Sequence, residues 1–222
     1  MTLTPTPGTV DPLQLVAAVD QAATAAELLR ATQTLAAAAN DAAPAEVIAC
    51  LVGILGFNNP GAAVAAVDGL IAIGAEAVAP LLSGLDEHNY GARAWAVRAL
   101  AGIGDVRGLE LLEQALGNDI GPSVRRAAAR GLGALRLDAL PQETRLAVRE
   151  RCLSALEGSR GDGEWVVRYA VAVAVESLCA PLAAGDPLQQ RARLSLQALC
   201  GPDEDTDVVR LRAEAALRRL EA

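Results

Sequence analysis

The 222-residue sequence predicts an all-α fold, an α-solenoid of about six stacked helix pairs. Three observations carry this expectation. Hydrophobic residues make up 52% of the chain but aromatic residues only 2%, so alanine and aliphatic side chains must build the core. Alanine is the strongest helix former, and β-branched runs bounded by turn residues, the mark of strands, are scarce. One helical phrase also returns along the chain with its apolar positions in register, as in arrays where each unit buries its face against the next.

Residues 1–44 read as an N-terminal Ala-rich helical cap, with "LQLVAAVDQAATAAELLRATQTLAAAAN" supplying one helix pair. Residues 45–222 read as the repeat array, with pairs near 45–74, 75–105, 107–138, 142–179 and 187–222. The first helix of each pair is an amphipathic phrase such as "AEVIACLVGILGF" or "GLELLEQALG", apolar at i, i+3, i+4 and i+7. The second helices align as "GAAVAAVDGLIAIG", "GARAWAVRALAGIGD", "SVRRAAARGLGALRLD", "WVVRYAVAVAVESL" and "DVVRLRAEAALRRL". Equivalent core aliphatics are Leu70, Leu100, Leu132, Val175 and Leu217, followed by Ile73, Ile103, Leu135, Leu178 and Leu220. An arginine opens the last four at one shared position: Arg93, Arg125, Arg168 and Arg210. Glycine and proline punctuate the joints, as in "NNPG" and "CGPDEDTD". "IGD" reads as a helix end, with Gly104 left-handed and Asp105 capping the next helix. V-R-x-x-A followed by A-L-x-x-I/L-G-D resembles the HEAT-like repeat, in which such arginines commonly pair with an acidic residue of a neighbouring repeat.

Composition excludes several function classes. A net charge of -8 and a pI near 4.7 argue against a nucleic-acid or anionic-membrane partner, which needs a basic face. All 19 basic residues are arginines, so no lysine is present to form a Schiff base. Cys50, Cys152, Cys179 and Cys200 lie far apart beside apolar residues, as small buried hydrophobes of a reducing compartment do. The opening "MTLTPTPGTVDP" has no basic n-region or apolar h-region, and Gly, Pro or charge breaks the apolar runs before bilayer length. A cytoplasmic protein without membrane insertion is expected. One histidine, no HExxH, no nucleophile elbow and no Gly-rich phosphate loop leave no metal site and no familiar catalytic signature.

What polar chemistry there is gathers at inner-helix starts. "DEHNYGARAWAVRA" places Asp86, Glu87, His88 and Tyr90 at one turn, with Arg93, Trp95 and Arg98 on the helix beyond it. Arg93 and Trp95 fall about 160° apart on a helix, so one of them is expected to point into the core. "DGEWVVRYAVAV" repeats the theme with Trp165, Arg168 and Tyr169, where Trp165 shares a face with both others. Both tryptophans and both tyrosines of the chain stand beside arginine and carboxylates. That combination suits a flat conjugated ligand bearing acid groups, or a protein partner.

The strings "NYGARAWAVRALAGIGDVRGLELL", "SVRRAAARGLG" and "EWVVRYAVAVAVESL" resemble the F subunits of the cyanobacterial phycobilin lyases of E/F type, over roughly residues 45–180. The resemblance implies an enzyme subunit that works as a heterodimer with an E-type lyase subunit. Together they bind a free phycobilin and attach it by a thioether bond to a cysteine of the apo-phycocyanin α subunit. The bilin, phycocyanobilin or a related one, is then substrate, and no cofactor is implied. Tyr90, Arg93, Trp95, Arg98, Trp165, Arg168 and Tyr169 become candidate bilin contacts, and Asp86, Glu87 and His88 candidates for controlling its protonation. A lyase-isomerase branch carries Asn-His-Cys-Gln-Gly-Asn where this chain has Glu87 to Ala92, with Asn89 at the cysteine position. Ligation without isomerisation is therefore expected. A non-catalytic HEAT-repeat adaptor or chaperone for phycobiliproteins, and a lyase of the same type for phycoerythrobilin, are the alternatives.

Overall fold

A computed structural model describes residues 11–40, 43–84, 89–183 and 185–221, and all regular structure among them is helical. The chain divides into two compact units, one reaching Ala99 and the other beginning at Leu100. The sequence-based division at residue 44 followed composition. The compact units follow contacts instead, and their boundary falls inside a helix.

The first unit holds α1 (Pro12–Asp20), α2 (Ala25–Ala37), α3 (Ala45–Ile54), α4 (Pro60–Ile73), α5 (Val78–Ser83) and most of α6 (Tyr90–Ile103). Local chemistry sets the helix starts. Pro12 and Pro60 occupy first-turn positions where a missing N–H costs nothing. Thr24 and Glu27 form a reciprocal capping box at the start of α2. In this unit α1 packs on α3, α3 on α5, and α2 on α4, which gives two layers of helices. The helical run Pro60–Ser83 is 24 residues long and apolar enough by composition to cross a bilayer, although Asp68, Gly74, Glu76 and Pro80 interrupt it. Its α-helical course nonetheless stops at Gly74, which adopts φ 77, a conformation open to glycine. Ala62, Ala63, Ala66, Leu70 and Ile73 of the run are buried among the other helices.

The second unit holds the end of α6, then α7 (Leu109–Asn118), α8 (Pro122–Gly133), α9 (Gln142–Gly158), α10 (Trp165–Cys179), α11 (Pro187–Ala198) and α12 (Asp207–Glu221). Here α7 packs on α9 and α9 on α11, while α8 packs on α10 and α10 on α12. Gly133 permits the closest of these approaches, because a Cβ there would overlap Ala174 of α10. Gly104 takes φ 69 and the Asp105 carboxylate accepts from the Arg107 N–H at 2.9 Å, the helix-end arrangement expected of "IGD".

The repeat register is visible in burial. Leu70, Leu100, Leu132 and Val175 are 0–1% exposed. Their equivalent Leu217 is only half-buried, since among the described residues no further helix covers that side of α12. All four cysteines are free thiols. Burial pushes Cys152 up to about 12 and Cys50 and Cys179 to about 11, so at neutral pH these groups are inert protonated thiols.

Candidate functional site

In the first unit, α6 begins at an asparagine cap. Asn89 accepts the Ala92 N–H on Oδ1 at 3.0 Å, while its Nδ2 donates to the Gly56 carbonyl at 3.4 Å. Asn59 does the same one repeat earlier, accepting from Ala62 N at 3.1 Å and donating to Ala25 O at 2.9 Å. One amide thus starts a helix and ties its turn back to the preceding pair. The position where the isomerase-type motif has cysteine is therefore a structural joint in this chain.

Asn89 presents Tyr90 as the first residue of α6, 40% exposed. The Arg93 guanidinium carbon lies 5.7 Å from the Tyr90 ring centroid, and that of Arg98 lies 4.9 Å from the Trp95 centroid. Both are i, i+3 cation–π pairs, strengthened wherever water is excluded. Neither Arg93 nor Trp95 points into the core, against the expectation from their spacing. Both are half-buried, because Ala96, Val97, Leu100 and Ile103 already fill the inward stripe. Asp86, Glu87 and His88, the candidates for protonation control, lie outside the described residues.

In the second unit the repeat arginines form a ladder. Arg125 donates from Nε and Nη2 to the Asp162 carboxylate at 2.7 and 2.9 Å, and from Nη1 to the Asp119 carbonyl at 2.8 Å. Arg168 repeats this one pair later, donating from Nε and Nη2 to Glu204, both at 2.7 Å, and from Nη1 to the Asp162 carbonyl at 2.7 Å. Each acid is used twice more: its carboxylate accepts an N–H two residues on, and its carbonyl serves its own repeat's arginine. Burial opposes ionisation of Asp162. Hydrogen bonds from Arg125 and the Glu164 N–H nevertheless hold its carboxyl below the usual carboxylate range. Hydrogen bonds from Arg168, against the opposing effect of burial, do the same for Glu204.

Arg168 is thus committed to Glu204, Asp205, Thr206 and Asp162. Its place in the ladder is that of the neighbouring-repeat pairing common to such arginines. Beside it Trp165, the first residue of α10, is 46% exposed, and Tyr169 is half-buried. A cleft of about 530 Å³ opens at the Arg125–Asp162 rung, and one of about 440 Å³ at the Arg168–Glu204 rung. The acids Asp119 and Glu204 were not singled out from sequence. Their signal was present all the same: an acid stands six residues before each of Arg125, Arg168 and Arg210.

Comparisons with known proteins agree with this architecture. The HEAT repeats family model matches residues 78–176. A phycobilisome maturation protein of Synechococcus elongatus is 48% identical over 210 residues, covering 94% of this chain and 98% of that protein. A phycocyanin alpha phycocyanobilin lyase, CpcF, of Synechocystis sp. is 50% identical over 165 residues, 74% of this chain and 75% of that one. Among solved structures, the complex of CpcE and CpcF of phycocyanin lyase from Nostoc sp. matches with a TM-score of 0.69 at 36% identity, covering 78% of this chain and 99% of the matched one.

Proposed function

The chain belongs to the family of the F subunits of E/F-type phycobilin lyases, and on that premise we propose that inner-helix starts in each unit carry contacts for the bilin. It is a bilin lyase subunit that acts with an E-type partner. The observation that carries this conclusion is the 50% identity to a phycocyanin α phycocyanobilin lyase over 74% of the chain.

In the proposed reaction the phycocyanin α thiol adds across the ethylidene double bond of phycocyanobilin. The sulfur bonds one carbon, the thiol proton ends on the bilin, and nothing leaves. The lyase then needs to supply position and proton control rather than a nucleophile. The chain's own thiols, raised by burial, do not compete as acceptors. In the first unit the Tyr90–Arg93 and Trp95–Arg98 pairs offer flat faces and guanidinium groups suited to pyrroles and propionates. In the second unit the exposed ring of Trp165 offers another flat face, and Arg168 fixes from within the ladder the turn that presents it.

Co-expression with an E-type subunit, a bilin-producing pathway and apo-phycocyanin α tests the function. Covalent, zinc-fluorescent α subunit is expected to accumulate only when both subunits are present. Equal accumulation without this chain would refute it. Trp165→Ala tests the contact in the second unit: an intact heterodimer with wild-type bilin affinity would remove Trp165 from the bilin contacts.

A further inference from the structure

Among the described residues, the Arg210 rung of the ladder has no carboxylate from a following helix pair. Arg210 is the counterpart of Arg125 and Arg168, and its Nη1 donates to the Glu204 carbonyl just as theirs donate to Asp119 and Asp162. In the two earlier rungs the remaining fork, Nε with Nη2, grips a carboxylate of the next helix pair, and the side chains are 16% and 13% exposed. Arg210 is 35% exposed, and among the described residues its fork meets only Asp207 of its own helix, itself 83% exposed.

The surface around that fork is built like an internal joint. On α10 the residues four and seven positions beyond Arg168 are Ala172 and Val175, both 0% exposed. Their counterparts on α12 are Glu214 and Leu217, exposed and half-buried, and the neighbouring Leu211 is 62% exposed. The Glu214–Arg218 pair is loose, at 3.8 Å. Among the described residues this face carries two leucines and a guanidinium fork placed where the ladder has a carboxylate.

We propose that this face of α12 is the docking surface for a helix pair of the E-type partner subunit, one of whose carboxylates completes the Arg210 rung. Charge complementarity selects the occupant: a bidentate guanidinium–carboxylate pair is the joint this chain already uses twice. Leu211 and Leu217 supply the apolar contact around it. Docking extends the array by one repeat and replaces Asp207, an exposed partner, with a shielded one. The proposal rests on the lyase heterodimer described above.

The test uses the full chain with its E-type subunit, measuring dissociation constants by biolayer interferometry and self-association by sedimentation velocity. Arg210→Glu and Leu211→Glu are each expected to raise the heterodimer Kd about tenfold or more, and Arg210→Lys to raise it less. Leu13→Glu, a substitution at an exposed site in the first unit, is expected to leave it unchanged. Leu211→Glu guards against misfolding, because that side chain has little buried area to lose. Wild-type affinity for both glutamate variants overturns the proposal. So does a loss confined to self-association, which would assign the face to a second copy of this chain. Bilin transfer by the wild-type pair is scored separately: its absence refutes the lyase reading, whereas normal transfer with indifferent variants refutes only this surface.

Discussion

Arg125 and Asp162 form a two-point ion pair between successive helix pairs, with side chains 16% and 9% exposed. The same carboxylate caps the entry to α10 through the Glu164 N–H at 2.9 Å, and the Asp162 carbonyl receives Arg168. One residue therefore couples two arginines, a helix start and the exposed Trp165 ring.

Asp162→Asn leaves the Arg125 guanidinium shielded without its counter-charge, and is expected to cost about 3 kcal/mol at pH 7 in urea unfolding. The Asp162, Glu204 and Glu176 carboxyls are all held low. The folded protein then binds fewer protons than the unfolded chain, so this stability is fully present above the unfolded pKa of about 4 and is lost as pH falls through the lower folded values. The gap between wild type and Asp162→Asn should narrow below about pH 4. A constant gap down to acid unfolding would mean that Asp162 is not the titrating partner.

Gly133 and Gly53 should respond to alanine with opposite signs. Gly133→Ala drives a Cβ into Ala174 and is expected to destabilise by about 1–3 kcal/mol. Gly53 lies within α3, and no neighbouring atom comes within 4 Å of the place a Cβ would take. Gly53→Ala should therefore stabilise by about 0.5–1 kcal/mol. Chemical denaturation of both variants checks the helix spacing in each unit.

Asn89→Ala removes the cap of α6 and the link to Gly56, and is expected to cost about 1 kcal/mol. Asn89→Asp keeps the acceptor on the Ala92 N–H and should recover most of the loss. Thermal melts distinguish the two. Equal loss in both variants would place the energy in the Gly56 link rather than the cap.

Thiol reactivity should follow burial. Cys152 and Cys179 are expected to resist a disulfide reagent at pH 7 until the chain unfolds, while half-buried Cys200 reacts first. Labelling followed by peptide mapping reads the order. Early modification of Cys152 would contradict its position in the α9 core.

The joints of the fold were legible because they are local. Pro60 and Pro122 at helix starts, the turn at Gly104 and Asp105, and the apolar register from Leu70 to Val175 all depend on neighbours within a turn or two. The candidate contacts were legible only as an association of residue types. Spacing alone could not place Trp95, since its exposure depends on Ala96, Val97, Leu100 and Ile103 filling the inward stripe first.

By itself the sequence determined an all-helical repeat chain, the positions of its arginines and aromatics, and its family likeness, because helix period, capping and repeat register are written in short segments. Only the tertiary structure decided what the arginines do. Arg125 and Asp162 are 37 residues apart, and Arg168 and Glu204 are 36 apart. Separations that long become contacts only when successive helix pairs stack. Among the described residues the Arg210 fork meets only Asp207 of its own helix, whereas the carboxylate that closes each earlier rung comes from the following helix pair.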